Sequence, residues 1–299
     1  MIPHLLTLMA IYAILAVSLS LVVGLTGLFN LGHAAFFGIG AYASALFALA
    51  GYPYPVCLAA AILLPALAGV LVGLPTLRLR GDYLAMATLG FGEIARAVFR
   101  NWVGLTRGPM GLPGIPRPSL LGVEIDGPGK WVLVAFAALG LTWLVAELVA
   151  RAPLGRVLRA IREDELAVQA LGKNPEPFKL QALALGAGLA GLGGSLYAHY
   201  VAFVDPSPFT LSTTIFLFLL IVLGGLGNHA GSIVAAFVLL AARESLRFAG
   251  LPPSVAAPLQ QLVFSLLLVV LVIYRPWGLL PEPHLRSGRS RRSPRAARG

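Results

Sequence analysis

Charge is what this sequence has least of. No Asp, Glu, Lys or Arg occurs before Arg78, so the chain opens with an uncharged stretch several times the roughly 20 residues that span a bilayer core. Charged residues make up 11% of the 299 positions and apolar ones 58%, where ordinary globular domains carry about 25% charge. That composition excludes a water-soluble domain. The single cysteine, Cys57, lies in an uncharged run, which excludes an intrachain disulfide and a thiolate metal cluster. The histidines show no His-x-x-x-His spacing, so no metal site is expected. A phosphate-binding loop of the form G-x-x-x-x-G-K-[ST] is missing as well: Gly129-Lys130 continues with Trp131, and Gly172-Lys173 with Asn174. Ser195 follows two glycines with no base near it in sequence. The chain is therefore expected to be no enzyme, to need no cofactor of its own, and to leave any ATP to another chain. The N-terminus has neither a basic start nor a small-residue cleavage site and reads as a retained first span.

What is present is a series of long apolar windows. Candidate spans run over 5–28, 31–50, 56–77, 83–99, 131–150, 180–203, 212–226, 232–248 and 257–274. Unpaired backbone groups are too costly in lipid for anything but helices or closed barrels, and no alternating barrel pattern is visible. The expected fold is an all-α integral membrane bundle of eight to nine spans, with a permease-like domain over 1–278 and a basic tail over 279–299. The segments 83–99 and 212–226 fall at or below the roughly 17-residue lower limit for a crossing and read as full spans or re-entrant half-helices.

The net charge of +10 is concentrated in 151–179, where four acids accompany the basic residues, and in the tail after Arg275. Basic loops beside apolar spans mark the cytoplasmic face, so this placement points to membrane lipid and away from nucleic acid. If both segments are cytoplasmic, the four spans between them fit. Walking back then puts the loop 101–130 and the N-terminus outside, although Arg96, Arg100, Arg107 and Arg117 strain the rule. The run Gly108 to Pro116 cannot hold a helix because Gly and Pro break the ladder repeatedly. It reads either as a connector or as a dock for an external partner. Glu93 and Arg96, three apart, share a face and can pair. The pair is expected at the outer interface as an anchor; a deeper position would mark a pathway. Asp82 is expected to close an inner turn, with a second contact to an ATPase as its alternative.

Two Gly-rich breaks recur. Gly24 to Ala34 carries Asn30 and His33, and Gly224 to Gly231 carries Asn228 and His229. Interrupted helices in transporters expose backbone to a pathway, whereas small residues elsewhere serve close helix packing. The asparagines are expected to form turns and the histidines to satisfy backbone groups, with substrate contact as the alternative.

The segment 152–178 differs from everything around it. Leu154, Val157, Leu158, Ile161, Leu166, Val168 and Leu171 fall at helical spacing beside Arg156, Arg159, Arg162, Glu163 and Asp164, which predicts one amphipathic surface helix. Gly172 suits the left-handed position that ends a helix, and Pro175 and Pro177 prevent its resumption. The apolar stripe needs burial against the bundle or a partner.

These residues resemble the cytoplasmic loop of ABC-importer permeases. Matching positions are Glu163, Asp164, Glu165, Ala167, Ala170 and Gly172, flanked by Arg159 and Arg162; Glu165-Leu-Ala stands where that family has Glu-Ala-Ala. The runs 24–42, 77–94, 158–165 and 222–232, together with Arg275-Pro-Trp-Gly-Leu-Leu, are similar to the branched-chain amino-acid permeases of the LivM type. The likeness covers nearly the whole chain except the basic tail. It implies one half of a translocation pore in a bacterial inner membrane, with a sister permease subunit, two ATPase subunits coupled through 151–179, and an external or periplasmic amino-acid-binding protein. Urea, short amides or another small solute are alternative cargoes, and an ion-coupled transporter or a membrane-embedded scaffold are alternative classes.

Overall fold

A computed structural model describes residues 2–76, 79, 82–120, 123–247 and 266. Apart from Leu266, the expected ninth span 257–274 lies outside the described residues, as do the basic tail, Arg78 and Arg80.

The apolar windows within the described residues are helices, as the backbone argument requires. Helix α1 (Ile2–Leu19) continues as a π-helical turn, Ser20–Gly24. After an irregular stretch come α2 (His33–Leu49), α3 (Tyr54–Thr76) and α4 (Asp82–Asn101). The expected loop 101–130 contains α5 (Val103–Thr106), a 3-10 turn (Gly108–Met110) and strands β1 (Leu112–Pro113), β2 (Ser119–Leu120) and β3 (Val123–Glu124). Then follow α6 (Pro128–Arg151), α7 (Pro153–Glu163), α8 (Glu165–Ala170), α9 (Glu176–Val201), β4 (Phe203–Val204), α10 (Leu211–Gly224) and α11 (His229–Arg247). The strands form two antiparallel pairs, β1 with β4 and β2 with β3.

Among the described residues, four helical stretches are long and apolar enough to cross a bilayer: Ile2–Gly24, Tyr54–Thr76, Pro128–Arg151 and Glu176–Val201. A fifth arises if α10 and α11, bent by 117° at their break, act as one; α2 is apolar but shorter. At about 1.5 Å per residue, the 14 residues of α10 reach only about 21 Å, too short for a hydrocarbon core of about 30 Å.

Helices α1 and α9 form the centre and are largely buried, while α3 and α6 present long apolar faces outward through Leu63, Leu67, Leu71, Leu133, Leu141 and Leu148. Small residues explain the arrangement. A Cβ added at Gly40 of α2 would run into the Gly191 backbone of α9, and one at Gly191 would run into the Ala61 carbonyl of α3. Three helices thus pack backbone to backbone, the mode expected where lipid supplies no hydrophobic drive between helices. Ser44 and Ser195 hydrogen-bond at 2.7 Å inside this contact, and Ser44 also meets His199 Nε2 at 3.0 Å. The His199 Nδ1 lies 2.9 Å from the Pro116 carbonyl, so the Gly/Pro-rich loop is pinned to the end of α9 both there and through the β1–β4 pair.

Gly191→Val is expected to abolish recovery of folded protein, since its side chain would also stand within 2.6 Å of Pro65 Cγ. Gly140, with open space around it in the middle of α6, gives the opposite expectation. Gly140→Ala stabilises by about 0.5–1 kcal/mol through helix propensity alone. Thermal melting in detergent micelles compares the two.

Candidate functional site

The predicted single helix over 154–172 is two helices. Asp164 leaves the helical region (φ −154°, ψ 103°) and its Oδ1 accepts a hydrogen bond from the Ala167 amide at 3.0 Å, so it N-caps α8 and breaks α7 from it. Five residues beyond α7, the spacing still looked continuous because both helices keep the same apolar period. Gly172 does end the unit in the left-handed region, at φ +79°.

The apolar stripe is buried unevenly along the two helices. Leu158, Ile161 and Val168 are buried against the bundle, whereas Leu166 is 60% and Leu171 82% exposed. Helix α7 is therefore seated on its own protein, and α8 buries Val168 but leaves Leu166 and Leu171 uncovered among the described residues.

Two polar contacts fix the unit. Arg162 donates from Nη1 to the Gly24 carbonyl at the end of the π turn, and a Cβ at Gly27 (φ +72°) would stand 3.0 Å from Arg162 Cγ. Glu165 Oε1 lies 2.7 Å from Lys179 Nζ, with the Lys179 side chain only 6% exposed and that of Glu165 27%. Lys179 was not singled out by sequence, where it marks the end of the loop; its stem is instead buried in the second turn of α9, with its charge turned back onto α8. Gly27, Leu28, Arg162, Asp164, Glu165 and Lys179 share the lining of a cleft of about 370 Å³. Ala167, Ala170, Arg159 and Glu163 belong to the same two helices.

The two Gly-rich breaks, 200 positions apart in sequence, meet. A Cβ on Gly24 would lie 2.6 Å from the Gly227 nitrogen, and within the second break the backbones of Gly224 and Gly231 touch. Both asparagines make the expected turns: Asn30 Oδ1 accepts from the Gly32 amide at 3.1 Å and Asn228 Oδ1 from the Gly231 amide at 3.0 Å. His33 is fully buried at the start of α2, with Nε2 2.8 Å from Ser18 Oγ. His229 is buried at the start of α11. His33 thus meets a hydroxyl rather than the expected backbone carbonyl, and neither histidine lines the 370 Å³ cleft.

Glu93 and Arg96 pair at 3.4 Å as their spacing predicts. The pair sits near the middle of its helix. Glu93 is the twelfth of the 20 residues of α4, and it borders a narrow crevice with Gly32 and Ala35 of the first break and Thr210 and Thr214 of α10.

Replacing Glu165 by Gln leaves a buried ammonium without its counter-charge, at a cost of about 3 kcal/mol, near the low end for buried pairs because Glu165 keeps some solvent. The double change Glu165→Leu with Lys179→Met is expected to melt higher than the single one. A double variant that melts lower than Glu165→Gln would show that the pair itself, and not the avoidance of a lone charge, holds α8.

Comparison with known proteins places this geometry. The family model described as "Branched-chain amino acid transport system / permease component" matches residues 1–272. The high-affinity branched-chain amino acid transport system permease protein LivM of Escherichia coli K12 is 40% identical over 306 residues, covering 94% of this chain and 70% of that protein. A probable LivM of Methanocaldococcus jannaschii is 30% identical, covering 74% of this chain and 68% of that protein. The autoinducer 2 import system permease LsrC of Salmonella typhimurium is 28% identical over 64% of this chain and 54% of its own length. No solved structure matches. The extent of these likenesses leaves one assignment: the chain belongs to the branched-chain amino acid transport permease family.

Proposed function

We propose that this chain is one permease subunit of a bacterial ABC importer that carries branched-chain amino acids inward across the inner membrane. It works with a sister permease subunit, two ATPase subunits that bind the ATP, and an external amino-acid-binding protein that selects the cargo. Family membership supports transport as a permease, and the 40% identity to LivM supports branched-chain amino acids over urea or short amides. The chain crosses the membrane eight to nine times in this reading. The loop 151–179 and the C-terminus face the cytoplasm and the N-terminus lies outside, in keeping with the positive charges at the α6, α7 and α9 ends.

The observation that carries the coupling role is the exposure of Leu166 and Leu171 on a short, capped helix that ends at Gly172. Two exposed leucines close together on one short helix beside the charged loop make an apolar patch that a partner could cover. The ATPase cleft receives α8, and Arg162 and Lys179 hold α8 against the bundle so that movement of the partner is passed inward.

Leu166→Asp and Leu171→Asp are expected to lower recovery of the ATPase subunits with the permease by about tenfold, the loss of one well-buried apolar contact. Neither should change the melting temperature of the permease alone. Leu158→Ala, fully buried under α7, should instead destabilise by about 2–5 kcal/mol. Undiminished ATPase recovery with both aspartate variants would remove α8 from the interface.

A further inference from the structure

We infer that Glu93 and Arg96 form a recognition point for the zwitterionic head of the amino-acid cargo on a face of α4 that lines the translocation pathway. This rests on the transport reading given above and adds a substrate contact within the membrane.

Helix α4 is unlike the other long helices. Among the described residues before α6 it is the one helix of 18 or more residues that fails as an apolar span, and its exposed positions include Tyr83, Met86, Gly90, Glu93 and Ala97 at helical spacing, flanked by exposed Ile94 and Val98. About 1.5 Å of rise per residue puts Glu93 some 16 Å from the start of the helix, close to its midpoint. A carboxylate or guanidinium at the centre of hydrocarbon costs about 2.5–3.5 kcal/mol even on the lenient insertion scale. Both side chains are nevertheless accessible, Glu93 at 50% and Arg96 at 33%. A charged pair at the middle of a helix is ill suited to lipid, and water or cargo on that face would spare this cost.

The pair is also under-used within the chain. Its one contact is long for charged groups, 3.4 Å through Arg96 Nη1, and Arg96 Nε is buried with no hydrogen-bond partner among the described residues. That buried Nε is out of reach from the open side, while the remaining donors of the guanidinium, on a side chain 33% exposed, still offer a carboxylate a fixed fork. The crevice behind Glu93 is closed to about 10 Å³, room for about one water. Cargo therefore meets the pair from the open side of α4 and not from inside the bundle. An α-amino acid presents an ammonium and a carboxylate on one carbon, the complement of a carboxylate and a guanidinium one turn apart. Gly90 and Ala97, one turn to either side, leave room for an apolar side chain: a Cβ at Gly90 would meet nothing within 4 Å.

The test uses the complete complex, with its partner permease, ATPase subunits and binding protein, in proteoliposomes. For Glu93→Gln and Arg96→Gln, ATP-driven leucine uptake should fall by about tenfold, the share expected of one charge-assisted contact. ATP hydrolysis stimulated by the loaded binding protein should stay within about twofold of the parent, because neither residue touches α7 or α8. Uptake that stays near the parent level in both variants would overturn the assignment. Accessibility gives a second measurement should a variant fail to assemble. In a chain carrying Cys57→Ala, a charged, membrane-impermeant thiosulfonate should modify Gly90→Cys and Ala97→Cys, and saturating leucine with ATP should slow it. Reaction at an outer control, Met110→Cys, with none at 90 or 97 would place the stripe against lipid or protein and overturn the proposal. A parent complex that imports no leucine under ATP would instead overturn the transport reading itself, before any variant is compared.

Discussion

Backbone that unwinds inside an apolar bundle has no water to turn to, and every amide and carbonyl it exposes must find a partner in the protein. The stretches 25–32 and 225–228 are such places, and the surrounding structure is arranged to satisfy them. Thr26 bonds the Val22 carbonyl and receives the Leu28 amide. Thr88 of α4 receives the Leu31 amide at 3.0 Å, and Thr214 of α10 receives the Ala34 amide at 3.2 Å. Asn30 and Asn228 close the turns that start the next helices. Removing any one of these leaves a buried polar group unpaired, which costs more than the bond itself contributes. The helices that supply the partners, α4 and α10, are thereby fixed around the first break.

The same break is where the charged loop reaches the membrane domain. Arg162 on α7 donates to Gly24, whose α-carbon rests against Gly227 of the second break. The glycines permit a contact that any side chain would wedge apart, so the junction is held by backbone shape with little redundancy. In the coupling proposed above, a displacement of α8 would pass through the Glu165–Lys179 pair and Arg162 to a place where the two breaks meet. Small shifts at a packed junction of this kind switch between discrete arrangements and do not spread smoothly.

Much of this was legible in the sequence. Uncharged windows gave the helices to within a few residues, as with 131–150 for Pro128–Arg151 and 56–77 for Tyr54–Thr76. Gly172 was readable as a helix end because its role is local, and the observed φ of +79° agrees. The break at Asp164 was not, since an N-cap inside an unbroken apolar period leaves no trace in that period. The Glu165–Lys179 pair was hidden by the turn between α8 and α9, which brings together residues 14 apart whose contact depends on chain direction. The meeting of Gly24 and Gly227 is a tertiary fact; the likeness of the two Gly-Asn-His runs hinted at kinship and said nothing about contact.

If the loop drives the bundle through Arg162, then uptake and ATP hydrolysis must separate when that link is cut. The most direct measurement is the number of amino acids imported per ATP hydrolysed by the complete complex carrying Arg162→Gln, in proteoliposomes. The account predicts hydrolysis near the parent rate with that ratio reduced by about tenfold, the size expected for the loss of one charged hydrogen bond. An unchanged ratio, with Arg162→Gln assembled and active, would contradict it.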